Sequence, residues 1–176
     1  MRKIQNDELA RLTLHEFKHA EKLPFVILLD NVRSMHNIGS VFRTADAFRC
    51  TSLGLCGITA VPPHREIHKS ALGAEDSVDW FYDESVTNAI QKLKSKGYTI
   101  IAIEQAEGAI PLQEMKFEKD KKFAFVFGHE IHGVSDDALS LCDACIEIPQ
   151  LGTKHSLNIS VSAGIVCWSF FTAYPG

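Results

Sequence analysis

The stretch that points most directly to a fold is Ile148-Pro149-Gln150-Leu151-Gly152-Thr153-Lys154-His155-Ser156-Leu157-Asn158. A β-branched and acidic run, Cys145 to Ile148, leads into it, and a long apolar segment from Ile159 to Phe171 follows it. This order predicts a strand, a polar loop that contains glycine, and a buried helix. Such junctions bind ligands in α/β proteins, because the backbone N–H groups at a helix start lack partners within the helix. We therefore expect a ligand site at residues 148–158.

Predicted strands and helices alternate along the whole chain. The predicted strands are 25–29, 53–56, 98–103, 123–127 and 145–148. The predicted helices are about 5–20, 38–48, 86–93, 131–142 and 156–174. Asp83 is expected to cap the third of these helices and Gly97 to end it. The alternation predicts an α/β fold in which a mostly parallel sheet is flanked by helices on both faces.

Length and composition indicate a single domain. The chain has 176 residues, of which 45% are apolar and 23% charged, and its net charge is −4. These values are typical of a soluble globular domain and show no basic excess of the kind that marks many nucleic-acid-binding proteins. We expect residues 1–22 to form an N-terminal helical extension and residues 23–176 to form the main domain.

The sequence also predicts a cytoplasmic protein with no membrane partner. No apolar stretch reaches the length of a membrane span, and residues 1–7 lack the apolar core of a signal peptide. The five cysteines are irregularly spaced. An odd number without a regular pattern suits a reducing compartment better than a disulfide framework.

A second junction follows the first predicted strand, where residues 31–45 read Asn-Val-Arg-Ser-Met-His-Asn-Ile-Gly-Ser-Val-Phe-Arg-Thr-Ala. Arg43 lies six residues after Asn37, about one and a half helical turns, so both side chains are expected to face one cleft. A planar guanidinium suits phosphate recognition. The alternative is that Asn31 and Asn37 only cap a helix and form a turn.

A third junction is Phe127-Gly128-His129-Glu130, at the end of the predicted strand 123–127. Gly128 allows a ligand to approach the backbone closely. Glu130 is expected at a helix start, where free N–H groups favour a carboxylate, so it is either a catalytic group or an ordinary residue of a first helical turn. Ser156 and Asn158 of the opening stretch are likewise candidates for either a site or a helix cap.

Other patterns are weaker. Cys142-x-x-Cys145 stands alone and is better explained by packing than by zinc or redox chemistry. His15 with His19 and His64 with His68 have metal-binding spacing but no third ligand, and residues 129–132 fall one residue short of the HExxH pattern. A metal hydrolase built on these histidines is one functional hypothesis, and it predicts bound zinc or manganese. No G-x-G-x-x-G follows a predicted strand, which argues against a nicotinamide enzyme.

Taken together, the three junctions resemble the SpoU (TrmH-like) family of SPOUT RNA methyltransferases. The matching motifs are Asn37-x-Gly39-x-x-x-Arg43-Thr44-Ala45, Phe127-Gly128-x-Glu130-x-x-Gly133, and Ile148-Pro149-x-x-Gly152-x-x-x-Ser156-Leu157-Asn158. Residues 70–75, Ser-Ala-Leu-Gly-Ala-Glu, also look like this family. The resemblance extends from Phe25 to the C-terminus. Each motif alone is weak evidence for the family, but three motifs at the family's spacing are strong evidence.

The resemblance implies a C-terminal deep trefoil knot, an exception to the rule that chains avoid threading. It implies a homodimer that methylates a ribose 2′-hydroxyl in tRNA or rRNA with S-adenosylmethionine, releasing S-adenosylhomocysteine and using no metal. The family's cofactor contacts correspond to Gly128, Ile148, Gly152 and Leu157. Its catalytic set corresponds to Asn37, Arg43, Glu130, Ser156 and Asn158.

The role of Arg43 is constrained by its chemistry, because a guanidinium holds its proton above about pH 12. We therefore expect Arg43 to hold a phosphate and to stabilise negative charge on oxygen rather than to act as a base. Ser156 and Asn158 would orient the ribose, and Glu130 would fix Arg43 or the loops. The alternative from a different class is a knotted dimer that binds RNA without transferring methyl groups.

Overall fold

Seven parallel strands form one sheet in the spatial order β3-β2-β1-β6-β4-β7-β5. The computed structural model describes residues 1–174. Every pairing between these strands is parallel. The strands are β1 (Leu23–Asp30), β2 (Cys50–Cys56), β3 (Trp80–Asp83), β4 (Tyr98–Ile103), β5 (Ile110–Pro111), β6 (Lys122–Phe127) and β7 (Ala144–Glu147).

Helices cover both faces of this sheet. They are α1 (Leu14–His19), α2 (Met35–Ala47), α3 (Arg65–Ala71), α4 (Ala74–Ser77), α5 (Val86–Ser95), α6 (Asp136–Leu141) and α7 (Ile159–Ala173), with 3-10 helices at Asn6–Leu9 and Leu112–Glu114. The α/β fold predicted from the alternation of elements is therefore confirmed. Within residues 1–174, none of these helices has the length and apolar character needed to cross a membrane.

The two faces of the central strands bury different side chains. In β1, Phe25, Ile27 and Leu29 join a core with α2, α3 and α7, whereas Val26 and Leu28 join a second core with α5 and α6. All five side chains are at most 1% exposed. A strand buried on both faces reads as a continuous apolar run, and each such side chain contributes about 1.5–3 kcal/mol by its burial. This burial explains why β1 was predictable.

The parallel sheet brings several strand ends to one edge of the molecule. The strands β1, β4, β6 and β7 end at Asp30, Ile103, Phe127 and Glu147, and they are neighbours in the order β1-β6-β4-β7. The loops that follow these strands therefore lie side by side at the carboxyl edge. Open α/β sheets bind ligands at this edge.

The N-terminal segment differs from the single helix expected over residues 5–20. The 3-10 helix ends at Ala10, whose φ of 45° lies in the left-handed region. Thr13 then starts α1, because its hydroxyl accepts from the backbone N–H of Glu16 while the Glu16 carboxylate accepts from the backbone N–H of Thr13. This capping box begins a new helix and interrupts the amphipathic pattern.

The helix predicted over residues 131–142 is shorter and begins later, at Asp136. Gly133 has a φ of 69° and pairs with His129 in a tight bridge. The backbone N–H and the hydroxyl of Ser135, the residue before the helix, both donate to the buried carboxylate of Asp30. Glu130 therefore lies in a turn, and its expected position at a helix start is wrong.

Three smaller differences have local causes. The last helix begins at Ile159 rather than at Ser156, because the Asn158 side chain accepts from the backbone N–H of Ser160 and caps it. Asp83 ends β3 instead of capping α5, whose N-cap is Ser85. The strands β3 and β5 went unpredicted because β3 is half exposed and β5 has only two residues.

Candidate functional site

A cavity of about 540 Å³ opens at the carboxyl edge of the sheet. It is lined by the ends of β4 and β6, by the loops that follow β6 and β7, and by the start of α7. Its size lies in the range of small-molecule sites in proteins. The lining combines apolar side chains with backbone and polar groups, and includes Ile103, Phe127, Gly128, Ile148, Ser156, Leu157 and Asn158.

Gly128 lies where two backbone segments approach each other. The backbone N–H of His129 donates to the Gly133 carbonyl at 2.9 Å, and the N–H of Gly133 donates to the His129 carbonyl at 2.8 Å. A Cβ at position 128 would lie 2.0 Å from the carbonyl carbon of Gly133 and 2.1 Å from the nitrogen of Val134. Because these neighbours are backbone atoms, only glycine fits. The expected close approach at Gly128 is thus made by the chain itself.

Glu130 ties the loop after β6 to the start of α2. Its carboxylate accepts from the backbone N–H of Arg33 at 3.1 Å, from that of Ser34 at 2.9 Å, and from Nδ2 of Asn37 at 3.1 Å. Partial burial raises the pKa of Glu130, but the hydrogen bonds from Arg33 and Ser34 outweigh it, so the pKa lies below the usual glutamate value. Glu130 is therefore an anion near neutral pH and holds the β1–α2 junction.

Asn37 continues this chain of hydrogen bonds toward α7. Its Oδ1 accepts from Nδ2 of Asn158 at 3.1 Å, and the Oδ1 of Asn158 accepts from the backbone N–H of Ser160 at 2.9 Å. Asn37 is only 6% exposed, so both ends of its amide are used inside the protein. Glu130, Asn37 and Asn158 thus connect three elements that are far apart in sequence. We define them as the amide–carboxylate chain.

Asn31 forms a turn, as the alternative to a role in the site predicted. Its φ of 56° is left-handed, and its Oδ1 accepts from the backbone N–H of Ile58 at 3.1 Å. Its Nδ2 donates to the Asp30 carboxylate at 2.7 Å. These contacts shape the turn after β1, as an asparagine in the left-handed region often does.

Glu104 and Gln105 belong to the cavity although the sequence analysis did not single them out. Glu104 accepts from the backbone N–H of Gln105 at 2.8 Å and from that of Val134 at 2.9 Å. The Gln105 amide donates to the carbonyl of His155 at 2.8 Å. Both residues follow β4, so the reasoning applied to the other strand ends would have found them.

Arg43 is exposed, and among residues 1–174 it makes no hydrogen bond to the amide–carboxylate chain. At about 100° per residue, six residues leave Arg43 about 120° around the helix from Asn37. Among residues 1–174, the cavity-lining residues include none of Asn37, Arg43 and Gly152. Asn37 is engaged inside the protein while Arg43 is exposed, so the two side chains leave α2 in different directions. Ser156 and Leu157 do line the cavity, and Ser156 makes no side-chain hydrogen bond within the described part of the chain.

The two cysteines of the Cys142-x-x-Cys145 pattern are partly buried. Burial raises the pKa of Cys142 to about 11 and also raises that of Cys145, so both thiols are weak nucleophiles near neutral pH. Among residues 1–174, no group of three or more His, Cys, Asp or Glu side chains is arranged to hold a metal ion.

Comparison with known proteins adds independent information. The family model described as the SpoU rRNA Methylase family matches residues 24–168. The tRNA (guanosine(18)-2′-O)-methyltransferase of Thermus thermophilus is 32% identical over 165 residues, which cover 92% of this chain and 81% of that protein. Two solved structures with TM-scores near 0.8 share the fold.

The TrmH/SpoU tRNA modifying enzyme of Aquifex aeolicus has a TM-score of 0.80 at 23% identity, covering 91% of this chain and 81% of that chain. The AdoMet-bound rRNA methyltransferase of Sinorhizobium meliloti has a TM-score of 0.79 at 23% identity, covering 87% and 58% respectively. At this identity the structural likeness bears on the fold, and the parallel sheet flanked by helices is common to all of them.

Proposed function

Because this chain belongs to the SpoU rRNA methylase family, we propose that it transfers a methyl group from S-adenosylmethionine to a ribose 2′-hydroxyl of tRNA or rRNA. The observation that carries the proposal is the amide–carboxylate chain of Glu130, Asn37 and Asn158 at the rim of the cavity. The Thermus relative is named for a tRNA and the Sinorhizobium neighbour for an rRNA. Both classes of RNA therefore remain in the proposal.

The residues of the cavity fit the proposed cofactor. Gly128, Ile148 and Leu157 line it and would contact the cofactor largely through their backbone. Ile103 and Phe127 supply apolar surface for a flat base, and the volume of about 540 Å³ accommodates a nucleoside with an amino-acid tail. When bound, S-adenosylmethionine supplies an electrophilic methyl group on a sulfonium centre.

The protein's own contribution is positioning and electrostatics. In-line methyl transfer depends chiefly on holding the attacking oxygen in line with the methyl group. Ser156 exposes its hydroxyl at the cavity, next to Asn158 on the rigid start of α7, and both would orient the ribose. Arg43 keeps its proton, so it would bind the adjacent phosphate and stabilise negative charge on the attacking oxygen. No metal takes part in this scheme.

We include a homodimer in the proposal because α7 carries a large apolar surface. Val161, Trp168 and Phe171 are 48%, 58% and 48% exposed and lie within about 80° of one another around the helix. Phe48, at the end of α2, packs against Trp168 and Phe171. Exposed apolar patches of this kind mark interaction surfaces. Pairing through α2 and α7 would bring Arg43 of one subunit toward the cavity of the other.

The C-terminal trefoil knot is also part of the proposal. The sheet order supports it, because β4 lies between β6 and β7 while α7 returns to pack against α2. The Gln105 side chain also donates to the His155 carbonyl, so the loop after β7 contacts the residues that follow β4. A cytoplasmic location is proposed with it, since Cys50, Cys56, Cys142, Cys145 and Cys167 are all free thiols.

The activity is tested by incubating the purified protein with tritiated S-adenosylmethionine and bulk tRNA or rRNA. We expect label in RNA and, after nuclease digestion, 2′-O-methylated nucleosides by mass spectrometry. Calorimetric titration with the cofactor accompanies the assay. Cofactor and RNA binding without transfer to any RNA would support the non-catalytic dimer instead.

The shared site is tested by mixing two inactive variants, Arg43→Ala and Asn158→Ala. If Arg43 serves the cavity of the other subunit, mixed dimers contain one intact site. Random assortment would then restore up to about a quarter of wild-type activity, because half of the dimers are mixed. Mixing without any recovery, in preparations shown to exchange subunits, would contradict a site built from two chains.

Arg43→Lys tests the role of the guanidinium. A lysine keeps the charge but loses the planar two-pronged donor. We expect a fall in kcat of about 10-fold or more with unchanged cofactor affinity and stability, since Arg43 is exposed. Near-full activity would exclude a role for paired hydrogen bonds.

A further inference from the structure

A second groove lies beside β3, which is an edge strand of the sheet. The cavity lies instead at the ends of β4 and β6, in the other half of the sheet. It has a volume of about 510 Å³ and shares no lining residue with the cavity. It is bordered by the loop before α3, by α3 and α4, and by the first residue of β3. The lining residues are Pro62, Pro63, His64, Arg65, His68, Glu75, Asp76 and Trp80.

Aromatic surface is exposed along this edge. Trp80 and Tyr82 are alternate residues of β3, so they point to the same face of the sheet, and they are 37% and 49% exposed. Phe81, between them, packs instead into the core beneath α5. The Tyr82 hydroxyl is engaged, donating to the carbonyl of Gly57. The indole of Trp80 is therefore the flat surface that the groove offers to a ligand.

Among residues 1–174, one cation that lines the groove, Arg65, makes no salt bridge. Glu75 pairs with His68 at 2.5 Å and also accepts from the backbone N–H of Gly73, and its side chain is only 9% exposed. His64 accepts from the backbone N–H of Glu66 and caps α3. Arg65 is exposed. Asp76 is an exposed carboxylate that offers acceptor oxygens beside the indole.

We propose that this groove binds an unpaired nucleotide of the substrate RNA, away from the methylated ribose. The base stacks on the indole of Trp80, its N–H groups donate to Asp76, and a neighbouring phosphate pairs with Arg65. Aromatic platforms with nearby cations are a general solution for single-stranded RNA, because every base has a face that stacks. The inference rests on the proposed function, since it names a second contact for the same substrate.

The groove is rigidly connected to the methylation site. The helix α3 packs against α2 so closely that a Cβ on Gly39 would lie 2.3 Å from the Ile67 carbonyl oxygen and 2.9 Å from the nitrogen of Ala71. Two residues before Gly39, Asn37 belongs to the amide–carboxylate chain. A nucleotide held in the groove would therefore be held at a fixed distance from the catalytic residues.

Kinetics of Trp80→Ala and Arg65→Ala test the contact. For Trp80→Ala we expect KM for RNA to rise about 5-fold or more, as loss of one stacked base predicts. The kcat and the affinity for the cofactor stay at wild-type values, because the groove shares no residue with the cavity. Trp80→Phe keeps a stacking ring and restores most of the loss. Lys96→Ala, at the end of α5 on the opposite face of the sheet, is the matched control for loss of a cation, because Lys96 is also exposed and makes no salt bridge within residues 1–174.

Fluorescence provides a readout that does not depend on activity. The chain has two tryptophans, Trp80 and Trp168, so Trp168→Phe leaves Trp80 as the only indole emitter. Titration of this variant with bulk tRNA should quench the emission as bases stack on the ring. The Trp80→Phe variant, which reports Trp168 alone, should show less quenching.

The outcomes separate the two proposals. If the wild type methylates RNA but Trp80→Ala has wild-type KM and the Trp80 emission does not change, the groove proposal is overturned and the methyltransferase proposal stands. If no RNA is methylated yet tRNA quenches Trp80, the groove stands and the proposed activity fails. Quenching that is weaker in Trp80→Phe than in Trp168→Phe, together with a higher KM in Trp80→Ala, supports both.

Discussion

Residues 128–134 and residues 149–157 border the same cavity, but they are anchored differently. The first loop is closed by the bridge between His129 and Gly133, and two carboxylates, Glu104 and Glu130, tie it to β4 and to α2. The second loop is exposed along residues 151–157. Within residues 1–174, one side-chain hydrogen bond, from Gln105 to the carbonyl of His155, connects it to the strand ends.

The difference in anchoring suggests different roles for the two loops in ligand binding. A loop fixed by hydrogen bonds to two carboxylates is in place before any ligand binds, so little ordering entropy is lost there on binding. An exposed loop with few contacts has low local stability and moves more easily. We therefore expect the first loop to set the geometry of the site, while the second closes over the cofactor.

Substituting one glycine in each loop is the strongest test of this contrast. Gly128→Ala places a methyl group against the backbone of Gly133 and Val134, whereas Gly152→Ala meets nothing within 4 Å. We expect Gly128→Ala to destabilise the fold by about 3 kcal/mol, a fall in melting temperature of about 6–12 °C. Gly152→Ala should stay within about 2 °C of wild type. Equal melting temperatures for both variants would contradict the difference in anchoring between the two loops.

The next test removes the charge that ties the first loop to α2. Glu130→Gln places an amide group opposite three donors, the backbone N–H groups of Arg33 and Ser34 and the side chain of Asn37. We expect kcat/KM to fall about 100-fold and the free energy of unfolding to fall by about 1 kcal/mol, since hydrogen bonds to a charged acceptor become neutral or are lost. Glu118→Gln, an exposed carboxylate, is the control. Wild-type stability in Glu130→Gln would show that the carboxylate does not hold the junction.

A smaller effect is expected in the second loop. Gln105→Ala deletes the hydrogen bond to the carbonyl of His155. The cofactor dissociation constant should rise about 2- to 10-fold, the usual range for one hydrogen bond, with an unchanged melting temperature. Gln113→Ala, at another exposed glutamine, should change neither quantity. A large drop in the stability of Gln105→Ala would mean that this loop is as firmly anchored as the first.

The smallest effect is a dependence on pH. The pKa of Glu130 is lowered in the folded protein, so its stabilising contribution is present above the unfolded value of about 4.3 and is lost as pH falls through the folded value. The gap in melting temperature between wild type and Glu130→Gln should therefore narrow as the pH is lowered from 6 toward 3. A gap that widens with acid would contradict the sign of this shift.

The strands were predictable where burial alone determines them. Phe25 to Leu29 and Phe123 to Phe127 are continuous apolar runs, and both lie in the centre of the sheet. Helix boundaries were less predictable, because contacts from distant residues set them. Asp30 accepts from Ser135 and so fixes the start of α6 from a position 105 residues away.

For the site, local patterns identified candidate residues but not their partners. Asn37, Glu130 and Asn158 were singled out at separate junctions, and the structure brings them into one chain of hydrogen bonds. Arg43 was predicted correctly in α2, but its side chain is exposed and does not face the same side as Asn37, because six residues correspond to about 120° around a helix. Their catalytic roles stay predictions.

The amino-acid sequence by itself determined the alternation of strands and helices, because apolar periodicity and glycine positions act over a few residues. It also determined which junctions carry polar groups capable of chemistry. Only the tertiary structure decided which of these groups meet, since Glu130 finds its partners 96 and 97 residues earlier in the chain. Contacts over such separations depend on the order of strands in the sheet, which no local pattern specifies.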